Sequence, residues 1–148
     1  MKKKKFSITI NKKLVCKYFT QEDGEKWIQD MRKYISDTSL KNEIWKEIPN
    51  FSRYEASNFG RIRSLNYKNS GAVRIITPSA GKDGYLQSMF LCDNGKYCTL
   101  KIHKLITLAF LGERKNKTEV NHINGNKSDN RIDNLEYISH SANCQHSF

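Results

Sequence analysis

The residues best suited to chemistry lie near the end of the chain, in TEVNHINGNKSDNRIDNLEYISHSANCQHSF (118–148). The imidazole of His122, with an ordinary pKa of about 6.5, can take a proton from water near neutral pH. The side-chain oxygens of Asn121 and Asn143 are hard ligands of the kind that Mg²⁺ accepts. A base beside such ligands suits hydrolysis of a phosphodiester, in which Mg²⁺ or Mn²⁺ neutralises charge developing on the phosphate. We therefore predict His122 as the general base and Asn121 and Asn143 as ligands of a divalent ion.

Two short strands are expected to position the base. The first runs into His122, and the second spans residues 135–138. The stretch between them, residues 123–133, is rich in Asn, Gly and Asp, which form turns at low cost. Asn134, just before the second strand, is expected to tie this loop down and to orient His122 through its backbone.

A final helix is expected to bring the second metal ligand to the strands. Ser139 is a good N-cap for it, and Asn143 lies one turn further on. His146, three residues after Asn143, could share its face and reach metal or phosphate. His140 is expected to lie in solvent.

A hairpin and a short helix precede this segment. Strands over 84–92 and 97–103 flank the turn signal Asn94-Gly95, and residues 105–110 are expected to form a buried helix. A further hairpin is expected at 54–64, with a turn that needs the positive φ of a glycine.

Basic residues on these elements are candidates for DNA contact. Arg61 and Arg63 fall on alternate positions of one strand, which predicts a shared face and a spacing of about 7 Å, suited to neighbouring phosphates. An ordinary solvated face is the alternative. A histidine at a strand–helix junction is more often packed than functional, so a structural role stays open for His103. The predicted DNA-binding residues are Arg61, Arg63, Lys101, His103, Lys127 and Arg131.

The first 36 residues form a separate basic unit by sequence. Alternation in Phe6 to Ile10 and a return over residues 14–19 predict a hairpin, and an apolar stripe up to Ile35 predicts a helix. Residues 36–43 are polar and are expected to be a linker. The unit could be a DNA-binding arm, because it begins with a run of lysines.

The charge of the chain indicates a polyanionic partner. Lys and Arg number 26 against 15 Asp and Glu, which gives a formal charge of +11 and a pI of about 9.6. No apolar run approaches the roughly 18 residues of a membrane span, and the start lacks an apolar signal segment. We expect no membrane partner and a cytoplasmic location. The four cysteines form no Cys-x-x-Cys pair and are expected to be reduced.

The stretch NHINGNKSDNRIDNLEYIS resembles the HNH endonucleases, in their phage and intron-encoded homing branch. EIWKEIPNFSRYEASNFGRIRSL resembles the small DNA-binding module that precedes the nuclease in that branch, and GYLQSMFLCDNGKYCTLKIHKLITLAFLG resembles the segment that links the two. The three motifs stand in the expected order. The resemblance implies an α+β fold, with small antiparallel β-hairpin modules followed by a C-terminal ββα-metal nuclease motif.

The expected domains are residues 1–36, the basic hairpin-helix unit; 43–95, the nuclease-associated DNA-binding module; and 96–148, the HNH domain. Homing relatives often continue into a helix-turn-helix reader, and residues 1–36 could take its place.

The resemblance implies metal-dependent cleavage of double-stranded DNA, as a nick or a double-strand cut. His122 corresponds to the general base, Asn121 and Asn143 to the metal ligands, and Asn134 to the structural asparagine. Mg²⁺ or Mn²⁺ is the expected cofactor; a monomer without a small-molecule cofactor is expected. Many relatives carry Asp or His where Asn121 stands. Since two amides bind a cation less tightly than a set with a carboxylate, weak metal binding is expected without DNA.

Two other functions fit parts of the pattern. A catalytically silent DNA-binding or regulatory protein on an HNH scaffold would explain the neutral ligand pair, although His122 argues against it. An RNA-binding accessory protein rests on the charge alone.

Overall fold

The structure is a computed structural model that describes residues 2–10, 13–38 and 40–145. His146 and the side chain of Asn143 lie outside the described part of the chain. The element order is three small antiparallel units followed by a strand–strand–helix segment.

The N-terminal unit is a hairpin followed by a helix, as predicted. Strands β1 (Lys4–Ile10) and β2 (Lys13–Phe19) pair antiparallel, and α1 (Gln21–Thr38) follows. Thr20 caps α1, because its Oγ1 accepts a hydrogen bond from the backbone N–H of Asp23 (3.4 Å) and donates to the Asp23 carboxylate (2.7 Å). The helix runs on to Thr38, so the linker predicted from residue 36 begins later than expected.

The second unit is a four-stranded sheet in the order β3-β4-β5-β6. Its strands are β3 (Trp45–Glu47), β4 (Tyr54–Ser57), β5 (Ile62–Tyr67) and β6 (Ala72–Ile75). The turn between β4 and β5 contains Gly60 with φ +82°, as the sequence predicted.

The third unit is a three-stranded sheet that leads into a helix. It consists of β7 (Ser79–Ala80), β8 (Leu86–Leu91) and β9 (Tyr97–Lys101), with α2 (Ile102–Leu111) directly after β9. The predicted Asn94-Gly95 turn joins β8 to β9, with Gly95 at φ +83°.

The C-terminal segment has the predicted strand–loop–strand–helix order. Strand β10 (Thr118–His122) pairs antiparallel with β11 (Leu135–Ser139), and a short 3₁₀ turn (Ile132–Asn134) precedes β11. Helix α3 (His140–Gln145) follows and packs on both strands.

One apolar core joins the second, third and C-terminal units. Its buried members are Ile48, Phe51, Ala56, Ile62, Phe90, Ile102, Leu105, Ile106 and Leu135. The boundary drawn between residues 95 and 96 stays a prediction; in the structure it falls in the turn between two paired strands. Cys92 and Cys98, on this hairpin, are free thiols with Sγ atoms 3.2 Å apart. None of the described helices has the length and apolar character needed to cross a membrane.

Candidate functional site

His122 lies at the end of β10 with its ring turned towards the core. Its cross-strand partner is Leu135, and the side chain is only 7% exposed. Nε2 of His122 lies 2.9 Å from Oδ1 of Asn130. A carbonyl oxygen can only accept, so in the neutral imidazole Nε2 carries the proton and Nδ1 keeps its lone pair. Nδ1 is therefore the atom that could accept a proton from water.

Asn130 is itself held by the preceding sheet. The turn at Gly60 packs so closely on the Asn130 backbone that an added Cβ would lie 2.6 Å from its carbonyl carbon. Next to it, the N–H of Ile132 donates to the Asn58 carbonyl (3.0 Å). Gly60 is thus required both for its positive φ and for this approach, and the second unit fixes the residue that orients His122.

Two further rings surround the base. The His103 and His122 rings meet edge to face with centroids 5.0 Å apart, and the Tyr85 ring lies 4.8 Å from His103 and 5.7 Å from His122. Burial, and next the nearby charges of His122 and Lys101, lower the pKa of His103 to about 3. His103 is therefore neutral at physiological pH.

The structure corrects the predicted role of His103 as a DNA contact. Its side chain is 4% exposed and belongs to the wall behind His122. Within the described residues, neither Nδ1 of His103 nor Nδ2 of Asn130 has a hydrogen-bond partner. The packed role that the sequence left open is the one observed.

Asn134 ties down the loop between β10 and β11, as expected. Its Oδ1 accepts from the N–H of Asn124 (3.0 Å), and its Nδ2 donates to Oδ1 of Asn124 (3.0 Å) and to the carbonyl of Asp129 (2.8 Å). Its own carbonyl accepts from the N–H of Ile123 (2.9 Å), the residue after His122. The loop is thus anchored at both ends beside the base.

Asn121 points to the opposite face of β10, because strand side chains alternate. Its cross-strand partner is Glu136, and Nδ2 of Asn121 donates to Oε1 of Glu136 at 2.9 Å. Helix α3, which carries Asn143, packs on this hairpin. Glu119 shares the face, with Oε1 lying 2.9 Å from Nδ1 of His140.

The donor atoms on this face fit a hard divalent cation. Amide and carboxylate oxygens are the ligands that Mg²⁺ and Mn²⁺ prefer. Among the residues that the structure describes, no three His, Cys, Asp or Glu side chains are grouped so as to hold a metal ion. The weak metal binding without DNA that the sequence predicts stays a prediction.

Two of the predicted DNA-binding lysines flank the ring cluster. Nζ of Lys101 and of Lys127 lie 4.4 Å and 4.8 Å from the centroid of the Tyr85 ring. Lys101 pairs with the carboxylate of Asp83, and Lys127 donates to the Asp83 carbonyl (2.9 Å). The hydrogen bond from Lys101 lowers the pKa of Asp83. Both ammonium groups therefore lie on the Tyr85 ring, which itself packs beside the His122 ring.

Arg131 lies on the loop between β10 and β11 with its side chain 53% exposed. Its Nε and Nη2 each donate to the carboxylate of Asp129 at 2.9 Å. This bidentate hydrogen bond lowers the pKa of Asp129 and raises that of Arg131.

The prediction that Arg63 contacts DNA is wrong. Its side chain is 1% exposed, and Nη2 lies 2.7 Å from Oε2 of Glu55, its cross-strand partner, which is equally buried. The guanidinium also stacks over the Trp45 ring at 4.2 Å. The physical reason is that β5 is an interior strand, with β4 and β6 on its two sides and with Ile62, Arg63 and Ser64 all buried.

Arg61 is more accessible, with a side chain 29% exposed, and it pairs with the carboxylate of Glu43. That pairing and its position over the Trp45 ring, 5.6 Å away, tie it to the sheet.

Sequence reasoning missed Asn130, Tyr85 and Glu136. Asn130 stands in a loop with several asparagines, and nothing in the local pattern distinguishes it. Tyr85 reads as an ordinary strand residue. The cross-strand register that pairs Glu136 with Asn121 would have identified the third, given the strand limits.

Two family models match the chain. The HNH endonuclease model matches residues 100–145, and the NUMOD4 motif matches residues 43–90. Together these two matches contain all of the site residues described above, and the N-terminal hairpin and α1 lie outside them.

Three curated relatives are similar over about the same part of the chain. An uncharacterized HNH endonuclease of Acanthamoeba polyphaga mimivirus is 40% identical over 112 residues, which make up 73% of this chain and 27% of that protein. A second protein of the same description and virus is 34% identical over 102 residues, 69% of this chain and 29% of that protein. DNA endonuclease I-HmuI of Bacillus phage SP01 is 29% identical over 102 residues, 68% of this chain and 55% of that protein.

The fold has a counterpart among solved structures. A structure described as DNA binding and cleavage by the HNH homing endonuclease I-HmuI matches with a TM-score of 0.60 and 28% identity, over 70% of this chain and 57% of that chain. The predicted mixed fold of antiparallel strands and few helices is thereby confirmed. This chain spans between about a quarter and just over half of the curated relatives it matches. The chain contains an HNH endonuclease domain with a NUMOD4 motif ahead of it, and it is homologous to the homing endonuclease I-HmuI and to viral HNH endonucleases.

Proposed function

We propose that this protein is a metal-dependent endonuclease that hydrolyses phosphodiester bonds of double-stranded DNA, by nicking or by double-strand cleavage. The observation that carries the proposal is the pairing of His122 with Asn130. Nε2 is engaged at 2.9 Å, so Nδ1 is the nitrogen that takes a proton from the attacking water.

The remaining residues hold this base and the substrate. Asn134 anchors the loop next to His122, and the neutral His103 adds no competing charge behind it. Asn121 and Asn143 would hold Mg²⁺ or Mn²⁺, and the ion would neutralise charge on the phosphate and stabilise the leaving oxygen.

The positively charged side chains near the site would bind the DNA backbone. Lys101 and Lys127 lie beside Tyr85, and Arg131 is exposed on the adjacent loop. In this proposal residues 43–95 bind the DNA, residues 96–148 catalyse its hydrolysis, and residues 1–36 form a basic arm that contacts the DNA backbone. The protein would work as a monomer in the cytoplasm of a bacterial or phage-infected cell, without a small-molecule cofactor.

The test is incubation of the purified protein with supercoiled plasmid and Mg²⁺ or Mn²⁺. The wild type is expected to nick or linearise the plasmid, and His122→Ala is expected to lose at least about 100-fold in rate while still retarding DNA on a gel. His140→Ala is the matched control, because the His140 side chain is 73% exposed. This variant should cleave like the wild type.

A silent DNA-binding protein on the same scaffold is the competing function, and the neutral pair of asparagines favours it. It predicts DNA retardation with no metal-dependent cleavage of either the plasmid or a genomic library, by the wild type or by any variant. Preference for structured RNA over duplex DNA in competition would contradict both functions.

A further inference from the structure

We propose that Glu136 supplies the carboxylate that the cation site otherwise lacks. It lies across the hairpin from Asn121 and binds the NH₂ group of the Asn121 side chain, so the amide oxygen of Asn121 stays free for the cation. The inference rests on the proposed function and adds a residue to its site.

The first step is the geometry of the pair. Asn121 and Glu136 are directly opposite on β10 and β11, and Nδ2 of Asn121 donates to Oε1 of Glu136 at 2.9 Å. A side-chain amide has one NH₂ group and one oxygen. Because the carboxylate engages the NH₂ group, the amide cannot flip without losing this bond, and its oxygen remains for another partner.

The second step is charge. An amide oxygen binds a divalent ion without compensating any of its charge, and the chain carries a formal charge of +11 that repels cations. Glu136 places one negative charge within a hydrogen bond of the predicted ligand. Groups that hydrogen-bond to a metal ligand orient it and tune its affinity, typically by about 10- to 100-fold.

The third step is the comparison with the other carboxylate on this face. Glu119 lies two residues before Asn121 on the same strand, but its Oε1 is 2.9 Å from Nδ1 of His140. Glu119→Gln removes the same charge from the same face and leaves the Asn121–Glu136 hydrogen bond in place, so it is the matched control. An ordinary surface pair would support the hairpin and contribute nothing to cation binding.

The experiment is a titration of the ¹⁵N-labelled protein with Mn²⁺, whose unpaired electrons broaden NMR signals of nearby nuclei. Signals of the Asn121 side-chain amide and of the α3 backbone are expected to broaden first. Glu136→Gln keeps the shape and an acceptor oxygen but removes the charge. It is expected to require at least about tenfold more Mn²⁺ for the same broadening, whereas Glu119→Gln should titrate like the wild type.

A second variant moves the carboxylate to the other side of the same hydrogen bond. In Asn121→Asp with Glu136→Gln, the glutamine NH₂ donates to the new aspartate, and the total charge is unchanged. This double variant is expected to bind Mn²⁺ at least as tightly as the wild type. Thermal unfolding of each variant checks that the hairpin is intact.

The outcomes separate the inference from the function that it extends. The role of Glu136 would be overturned if Glu136→Gln and the wild type needed the same Mn²⁺ concentration for broadening. It would also be overturned if Glu136→Gln and Glu119→Gln lost Mn²⁺ affinity equally. Neither outcome would contradict the nuclease function if the wild type cleaved plasmid. A wild type that cleaves plasmid but shows no broadening of the Asn121 signals at any Mn²⁺ concentration would overturn the role of Glu136 too. A wild type that shows no Mn²⁺-induced broadening and no plasmid cleavage would overturn both the role of Glu136 and the proposed nuclease function.

Discussion

The rings of His103 and His122 meet edge to face with their centroids 5.0 Å apart, although the two residues belong to different elements. His103 is the second residue of α2, and His122 is the last residue of β10. Two imidazoles this close cannot both be protonated without repulsion. Burial, and next the charge of His122, lower the pKa of His103 to about 3, so His103 is neutral at physiological pH. Burial of His103, with His122 beside it, therefore makes the stability of the protein depend on pH.

The first prediction concerns that dependence. The unfolded chain protonates His103 near pH 6.5, whereas the folded chain does so only near pH 3. Between these values the unfolded state binds the extra proton, so the stabilising contribution is complete above pH 6.5 and is lost as the pH falls. The expected slope is up to about 1.4 kcal/mol of unfolding free energy per pH unit. Urea unfolding of the wild type and of His103→Phe at several values from pH 4.5 to 7 measures it.

His103→Phe keeps a buried ring but removes the titrating group, so its unfolding free energy should fall less steeply towards low pH. Asp129 also has a lowered pKa, but its contribution is lost only at still lower pH and is common to both proteins. Parallel pH profiles for the two proteins would contradict the prediction.

The second prediction concerns the buried pair of Arg63 and Glu55. Removing one partner leaves the other charge inside the sheet, so Arg63→Ala is expected to lose about 3–5 kcal/mol of unfolding free energy. Arg74→Ala is the control: Arg74 is exposed over the Tyr67 ring at 4.6 Å and should lose about 1 kcal/mol or less. Urea titration monitored by tryptophan fluorescence compares them.

The double variant Glu55→Gln with Arg63→Met should recover much of the loss, since no unpaired charge then remains. A loss in Arg63→Ala no larger than in Arg74→Ala would show that the buried pair is dispensable.

Some of this arrangement is readable from the sequence, for local reasons. The turns at Gly60 and Asn94-Gly95 are specified by residues that tolerate positive φ. The anchoring role of Asn134 is predicted from its place between an Asn-rich loop and the strand that follows. The sequence also predicts correctly that a short strand runs into Asn121 and His122.

Other features depend on the packing of distant segments. Alternation in β5 predicts a solvated face for Arg63, but a strand with neighbours on both sides and a covered face buries it against Glu55. The choice of Asn130 as partner of His122 depends on how the Gly60 turn presses on its backbone. Neither fact is encoded within a short window of residues.

The third prediction concerns DNA binding by Lys127. Each phosphate that a lysine neutralises contributes about 0.9 to the slope of log affinity against log salt. Lys127→Ala is expected to reduce that slope by about 1 and to weaken binding to unrelated DNA sequences alike. Lys96→Ala, in the turn between β8 and β9, removes the same charge at an exposed position as the control. Fluorescence anisotropy over a range of salt concentrations measures both.

An unchanged slope for Lys127→Ala would remove this lysine from the DNA surface. A loss equal to that of Lys96→Ala would indicate an effect of overall charge instead of a contact beside Tyr85.

The fourth prediction is that Asn130 determines which nitrogen of His122 acts. Without the acceptor at 2.9 Å, the ring is free to rotate and to carry its proton on Nδ1, where it cannot serve as the base. Asn130→Ala is therefore expected to lower the cleavage rate by about 10- to 100-fold, within the range that general-base catalysis supplies, with DNA affinity unchanged. Single-turnover cleavage and gel retardation measure the two quantities.

Combining the substitution with His122→Ala shows whether Asn130 acts through the base. If it does, the double variant cleaves no more slowly than His122→Ala alone, because the group that Asn130 orients is already absent. Additive losses in rate, or a loss of DNA affinity in Asn130→Ala, would instead assign Asn130 to the shape of the loop that Asn134 and Gly60 hold in place.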